Sequence, residues 1–182
     1  MHKDNRRVRM TKRMIKDALL DLLDSQPIET VSVTALCKEA DVSRSTFYLH
    51  YGSERDVISE IEEDLIEGID QLFEQEAPDE EMPLGKQVVM MCHYFDEHRR
   101  EAEAVFRSNT PRSEFAEKLL RMRVESQPKR YRFLESCNDA QKEVVTTFLC
   151  AGGFEALRSW LLHESDASPE EIGEAIEMMI AS

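Results

Sequence analysis

The sequence predicts an all-α fold of about nine helices, with three N-terminal helices followed by a larger helical bundle. Three observations carry this prediction. Apolar residues recur at the i, i+3, i+4, i+7, i+8 spacing of one helix face, most clearly near the two ends of the chain. Only six glycines and six prolines occur in 182 residues, too few for the turns of a β-sandwich. No convincing strand pattern is present.

The first helix is predicted from an amphipathic stripe in the N-terminal region. It ends near Ser25–Pro27, because proline cannot continue a helix. Its buried face is formed by Ile15, Ala18, Leu19, Leu22 and Leu23.

Two short helices are predicted next, each preceded by a serine that can accept a hydrogen bond from the helix backbone. Ser32 is the N-cap of a helix over about 33–40, and Ser43 is the N-cap of a helix over about 44–51. Asp41 tolerates a left-handed backbone, so the chain can reverse between them.

This succession of helix, short helix, turn and short helix is the sequence form of a helix-turn-helix. Val42 and Phe47 are predicted to pack in the angle between the two short helices. The outer side of the second short helix then carries Arg44, Ser45, Tyr48, Leu49 and His50. Arginine can bond a guanine edge, and hydroxyl groups can reach phosphate oxygens, so this face suits nucleic acid.

A long helix is predicted after Gly52 and Ser53, which break the preceding one. Ser53 and Asp56 resemble a capping box, and the helix runs to about Glu76.

Further helical segments occupy the remaining sequence. A long, largely apolar helix is predicted over 139–164, and a final helix begins after the N-cap Ser168. Before the long apolar helix, Pro128 kinks or divides a helix whose apolar residues are Phe115, Leu119 and Met122.

The charge is distributed unevenly. The formal net charge is −14, yet residues 1–55 hold ten Lys and Arg against eight Asp and Glu. Residues 56–81 hold twelve acidic residues and no basic one. This asymmetry is compatible with a nucleic-acid-facing end joined to an acidic body. For the acidic run itself, a solvated surface is the simpler interpretation.

Several functional classes are disfavoured by the sequence. The four cysteines form no C-x-x-C pair, which favours reduced thiols over a metal or disulfide site, and no cofactor is predicted. No phosphate loop, G-x-S-x-G or Cys/His catalytic signature occurs, so an enzyme is not expected. No apolar run approaches the roughly 20 residues of a membrane span, and a cytoplasmic location is expected.

The block TVSVTALCKEADVSRSTFYLHYGSERDVI resembles the N-terminal DNA-binding domain of TetR-like transcriptional regulators. The likeness covers about residues 10–60. It implies a helix-turn-helix domain with a basic N-terminal arm over 1–53 and a helical effector-binding and dimerisation domain over 54–182. The DNA contacts that it implies come from Ser32, Thr34, Ser43, Arg44, Ser45, Thr46, Tyr48, Leu49, His50 and Arg55. Two interpretations stay open for the basic arm, which either follows the DNA backbone or minor groove or is a solvated terminus; it contains Arg6, Arg7, Arg9, Lys12 and Arg13.

Three positions depart from the family pattern. Asp41 stands where glycine is common, and His50 stands where an aromatic residue is frequent. Glu54 lies near the position where the family often has a lysine that contacts phosphate. A carboxylate repels phosphate, so that contact is expected only if Arg55 replaces it.

The resemblance also implies a homodimer built by the last two long helices. The interface would contain Phe148, Gly152, Ala156, Trp160, Ile172, Ile176 and Met179. A pocket for a small apolar effector would be lined by Met90, Met91, Tyr94, Phe106, Phe115, Met122 and Phe148. An ordinary core explains the same apolar stripes.

The implied function is a regulator, most simply a repressor, that binds a near-palindromic operator in double-stranded DNA. The alternative is a helical interaction protein of the same fold with weak or no specific DNA binding, for which Glu54 and the acidic run are the best support.

Overall fold

The fold was analysed in a computed structural model that describes residues 2–76, 82–121, 132–163 and 165–181. In these residues every regular element is helical, which confirms the predicted all-α fold. Nine α-helices are described: α1 His2–Leu23, α2 Val33–Glu39, α3 Arg44–Tyr48, α4 Glu54–Glu76, α5 Leu84–Glu97, α6 Arg99–Ser108, α7 Glu114–Ala116, α8 Asp139–Leu161 and α9 Pro169–Ala181.

Two compact units divide the chain within α4, the first over Met1–Leu65 and the second over Ile66–Ser182. The predicted functional boundary after residue 53 stays a prediction.

Helix α1 is longer than its apolar stripe indicates, since the basic residues at its start continue the same helix. Residues 2–23 contain neither glycine nor proline and are rich in Arg, Lys, Met and Leu, all of which favour helix. Ile15, Ala18 and Leu19 of the predicted face are buried in the core of the first unit, whereas Leu22 and Leu23 are half-buried.

Helix α3 is shorter than predicted. It ends at Tyr48 rather than near Tyr51. The backbone N–H groups of Leu49 and His50 then bond carbonyl groups three residues earlier, those of Thr46 and Phe47. These tighter turns close the end of the helix.

The capping box predicted at α4 is present, and the predicted N-cap Ser168 of α9 forms a capping box with Glu171. At α4, the Ser53 N–H donates to the Asp56 carboxylate at 3.2 Å, and the Ser53 hydroxyl accepts from the Asp56 N–H at 3.3 Å. At α9, Ser168 N–H donates to Glu171 at 2.8 Å and the Ser168 hydroxyl accepts from Glu171 N–H at 3.2 Å. These bonds satisfy donors that a helix N-terminus leaves unpaired.

The segment after α7 differs from a simple helix. A wider π-helical turn, Glu117–Arg121, follows α7, and a 3-10 turn, Arg132–Ser136, precedes α8. The predicted positions Met122 and Pro128 lie outside the described residues.

In the second unit, α5 and α9 pack at a glycine crossing. A Cβ atom on Gly85 would lie 2.5 Å from the carbonyl oxygen of Gly173, and one on Gly173 would lie 2.6 Å from that of Gly85. Only residues without a side chain allow this approach. The Gly85 N–H also donates to the Glu177 carboxylate at 2.7 Å, which joins the two helices.

Candidate nucleic-acid interface

The turn between α2 and α3 is set by Asp41, whose φ of 51° lies in the left-handed region. Aspartate is one of the few non-glycine residues that enter this region at modest cost. The following Val42 N–H donates to the Cys37 carbonyl at 3.0 Å, which closes the end of α2. The structure thus confirms the chain reversal that the sequence predicts at Asp41.

Phe47 fixes α3 against the rest of the first unit. Its side chain is completely buried, and its ring lies 5.8 Å from that of the buried Tyr51. Burial of a phenylalanine stabilises a fold by about 1.5–3 kcal/mol, so this face of α3 is held firmly and the opposite face is left to solvent.

The start of α3 is organised around the hydroxyl of Ser43. Its Oγ accepts a hydrogen bond from the Thr46 N–H at 3.0 Å. The same oxygen lies 2.8 Å from the hydroxyl oxygens of Ser45 and Thr46. A hydroxyl group can donate one hydrogen bond and accept two, so these three contacts use its full capacity. In this arrangement Ser43 positions α3.

The outer face of α3 carries one cationic, one aromatic and one aliphatic side chain. The Arg44 side chain is exposed, and its guanidinium group lies 3.5 Å from the Tyr48 hydroxyl and 5.9 Å from the centre of the Tyr48 ring. Tyr48 is 50% exposed and Leu49 is 80% exposed. Ser45 is also exposed, whereas Thr46 and His50 are half-buried.

The other predicted contact residues of the first unit lie at its surface. Ser32 caps α2 by accepting from the Ala35 N–H at 3.2 Å, and Thr34 in the first turn of α2 is exposed. Arg6 and Arg7 are exposed on α1.

Arg55 forms an ion pair with Glu29, with 3.3 Å between the guanidinium nitrogen and the carboxylate oxygen. Both side chains are more than half exposed, and exposed pairs of this kind contribute roughly 0–1 kcal/mol. Arg55 can therefore leave Glu29 for another anion at little cost.

An ionic cluster joins α1 to the beginning of α4. The Glu60 carboxylate lies 2.6 Å from Lys12 Nζ and 2.8 Å from Lys16 Nζ, and Lys16 also bonds Asp64. Burial opposes ionisation of Glu60, but the hydrogen bonds from the two lysines outweigh it and lower the pKa of Glu60. Burial, followed by the negative charge of Glu60, raises the pKa of the Tyr51 phenol.

Sequence reasoning missed this cluster, and assigned Lys12 to a DNA-binding arm. The available signal was a pair of spacings: Lys12 and Lys16 are four residues apart on one helix, as are Glu60 and Asp64 on another. Residues at this spacing share a helix face, and the two faces carry opposite charge.

Phenylalanine rings form the centre of the second unit. Phe106 stacks on Phe154 with 5.0 Å between ring centres, and its ring meets those of Phe95 and Phe115 edge-on at 5.3 and 5.5 Å. All four rings are at most 1% exposed.

The residues predicted to line an effector pocket do not share one environment. Phe106, Phe115 and Met91 belong to the core, and Met90 and Tyr94 are half-buried. Phe148 is 66% exposed.

The residues predicted to form a dimer interface divide in the same way. Phe148, Met179 and Gly152 are exposed, and Ala156 and Ile176 are half-buried. Trp160 and Ile172 are buried within the subunit, and the Arg99 guanidinium lies 5.7 Å from the Trp160 ring centre.

In the described part of the second unit, two exposed large apolar residues were not singled out from the sequence. Val144 on α8 is 69% exposed and Met178 on α9 is 65% exposed. Val144 lies four residues before Phe148 and eight before Gly152, so the helical spacing of these three residues was the signal that could have identified it.

Among the residues that the structure describes, no helix combines the length and apolar character needed to cross a bilayer.

Comparison with known proteins agrees with the helix-turn-helix geometry. The model of the bacterial regulatory proteins of the tetR family matches residues 15–61. The model described as transcriptional regulator C-terminal region, of the same family, matches residues 84–182, more than half of the chain. The chain belongs to the TetR family of transcriptional regulators, which bind DNA.

Solved structures share the fold along almost the whole chain. A TetR transcriptional regulator from Streptococcus agalactiae is 23% identical, with a TM-score of 0.68 and 98% of each chain covered. The fatty acid degradation regulator FadR from Bacillus halodurans is 13% identical, with a TM-score of 0.60 and coverage of 93% of this chain and 94% of FadR. The dihydroxyacetone kinase operon activator DhaS is 17% identical, with a TM-score of 0.54 and 94% of each chain covered. No curated protein gives a significant match.

Proposed function

We propose that this protein is a cytoplasmic, dimeric repressor that binds a near-palindromic operator and is released by a small apolar effector. The observation that carries the proposal is the outer face of α3. That face presents Arg44, Tyr48 and Leu49 to solvent while Phe47 anchors the helix from behind. A short, fixed helix with one exposed face is the element that helix-turn-helix proteins place in the major groove.

The exposed groups of α3 have distinct roles in this proposal. Arg44 reads a guanine edge with its forked guanidinium group, and the Tyr48 and Ser45 hydroxyls bond phosphate oxygens. Arg6 and Arg7 add sequence-independent attraction to phosphate. Arg55 exchanges Glu29 for a phosphate, which restores the contact that Glu54 cannot make.

Binding to genomic fragments at several salt concentrations tests the proposal. A regulator retains a near-palindromic site selectively, and its affinity falls as salt rises because phosphate contacts release counterions. If no fragment is retained above random DNA even at low salt, the protein is the interaction protein of the alternative hypothesis.

Substitution of arginine by alanine tests whether the outer face of α3 is the surface that binds DNA. Arg44→Ala is expected to weaken specific binding by about 1–3 kcal/mol, roughly 5- to 150-fold. Arg112→Ala is the matched control, because it removes the same charge from an exposed position in the second unit. If both variants weaken binding equally, net charge rather than α3 accounts for the effect.

Dimerisation is supported by exposed apolar side chains on α8 and α9. Phe148 and Met179 are each 66% exposed, and a partner that covers such apolar side chains would remove them from water. Two recognition helices related by two-fold symmetry would read half-sites about 34 Å apart or a multiple of that distance.

The dimer is tested by introducing a charge into this surface. Phe148→Glu is expected to shift the protein to a monomer in analytical ultracentrifugation. Met10→Glu, at another exposed apolar position, is expected to leave the mass unchanged. A monomeric wild-type protein would overturn the dimer proposal.

Effector control is an expectation from the family resemblance, and the phenylalanine cluster of the second unit would have to open to admit an apolar ligand, because its rings are at most 1% exposed. The ligand must favour a non-binding conformation, typically by about 1–3 kcal/mol. Screening apolar compounds for release of operator DNA tests this step.

The sign of regulation needs a separate measurement, since DhaS, a structural neighbour, is named an operon activator. A reporter gene behind the operator tests it. Repression predicts lower expression when the protein is present, and activation would appear as the opposite change.

A further inference from the structure

Leu49 is an unusual residue on the outer face of α3. It is 80% exposed, more than Tyr48 at 50%, whereas Phe47, two residues earlier, is fully buried. It is the C-cap residue of α3, with right-handed helical φ and ψ, and its N–H donates to the Thr46 carbonyl. The backbone of Leu49 is therefore positioned by the helix, while its side chain makes little contact with the first unit.

The side chain of Leu49 can recognise only an apolar group, because it has neither a donor nor an acceptor. The polar residues nearby have separate partners: the Ser43 hydroxyl is saturated, and the Arg44 guanidinium lies against the Tyr48 hydroxyl. In the major groove, the C5-methyl of thymine is the distinctive apolar group on a base edge.

We infer that Leu49 is a specificity-determining residue that packs against the C5-methyl of a thymine in each operator half-site. This inference rests on the proposed function, and it assigns the apolar part of base recognition. Arg44 supplies the polar part. Each half-site is then expected to contain a thymine whose methyl group is buried by Leu49.

The test replaces each thymine of the selected operator, one symmetric pair at a time, by deoxyuridine. This change removes the methyl group and preserves base pairing. Burial of one methyl-sized group corresponds to about a fourfold change in affinity, so a symmetric pair is expected to lower affinity by on the order of tenfold. The loss is expected at one thymine pair, with smaller changes at the others.

Protein variants connect the methyl effect to Leu49. Leu49→Ala is expected to bind the thymine and deoxyuridine operators equally, and Leu49→Met to retain discrimination because its side chain is also long and apolar. The exposure of Leu49 makes both variants compatible with folding, which circular dichroism checks.

The outcomes separate the inference from the proposed function. If the operator is bound selectively but deoxyuridine has no effect at any position, Leu49 does not read a thymine methyl and the regulator assignment stands. The inference is also overturned if Leu49→Ala weakens binding yet keeps the thymine preference. If no DNA is retained above random sequence, both the regulator and the Leu49 role are refuted.

Discussion

The crossing of α5 and α9 provides the most direct test of the packing in the second unit. In Gly173→Ala, the new Cβ would lie 2.6 Å from the Gly85 carbonyl oxygen and 2.8 Å from a methyl carbon of Val89. Even a close C–H···O contact needs about 3.3–3.6 Å. The two backbones must therefore separate by roughly 0.7–1 Å, since a carbonyl group within a helix cannot rotate away.

Two opposing effects determine the magnitude. Overpacking of this kind costs about 1–3 kcal/mol, whereas alanine in place of a helical glycine contributes about 1 kcal/mol of helix propensity. Separation would also stretch the 2.7 Å hydrogen bond between Gly85 and Glu177. We expect Gly173→Ala to lower the free energy of unfolding by about 1–2 kcal/mol, or Tm by about 3–6 °C.

Urea and thermal unfolding, followed by far-ultraviolet circular dichroism at one protein concentration, measure this loss. Glu174→Ala is the matched control, because its side chain is exposed on the same helix, and it should change stability by less than about 0.5 kcal/mol.

The double variant Gly85→Ala/Gly173→Ala adds a second criterion. A single separation of α5 from α9 relieves the clash at Gly85 and the clash at Gly173. The double variant should therefore lose less stability than the sum of the losses of the two single variants. A Gly173→Ala protein as stable as the wild type, or more stable, would refute the close approach of the two helices.

Three further predictions concern the first unit. Because the folded pKa of Glu60 is depressed below its ordinary value near 4.5, the stability from its lysine contacts is present above that pH and lost as the pH falls through the folded pKa. The difference in unfolding free energy between wild type and Glu60→Gln should therefore shrink on acidification, and a constant difference from pH 7 to pH 3 would contradict this. Asp41→Gly should leave stability unchanged or raise it by up to about 1 kcal/mol, while Asp41→Val should lower it, because φ is 51° there. Equal Tm values for the two variants would exclude backbone strain at this turn. Ser53→Ala should cost about 1 kcal/mol in urea unfolding through loss of the α4 cap, whereas the non-capping Ser59→Ala should not.

The sequence predicts those features of the candidate site that depend on residues close together along the chain. The turn at Asp41, the cap at Ser43 and the burial of Phe47 follow from residues only a few positions apart. The identity of the residues on the outer face of α3 follows from the same short pattern. The exposed fractions of these side chains do not follow from that pattern. They depend on where α3 ends and on the surroundings of Leu49, which are decided by how the first unit packs.

Contacts between distant residues were not predictable in the same way. Lys16 and Asp64 are 48 residues apart, and Gly85 and Gly173 are 88 apart, so no local pattern pairs them. Trp160 and Phe148 show a related limit on one helix: steps of four residues connect them, but they lie about 120° apart around the helix, and one is 8% exposed and the other 66%. Helical spacing places residues on a face, but only packing decides what covers that face.

The sequence by itself determined the helical fold, the helix-turn-helix and its capping residues, because these depend on short-range hydrogen bonding and on a 3.6-residue period. The tertiary structure decided which lysines form ion pairs in the α1–α4 cluster, where α5 and α9 pack closely at two glycines, and which apolar side chains remain exposed. The physical reason is that burial and ion pairing arise between segments far apart in the chain, and they are defined only once those segments meet.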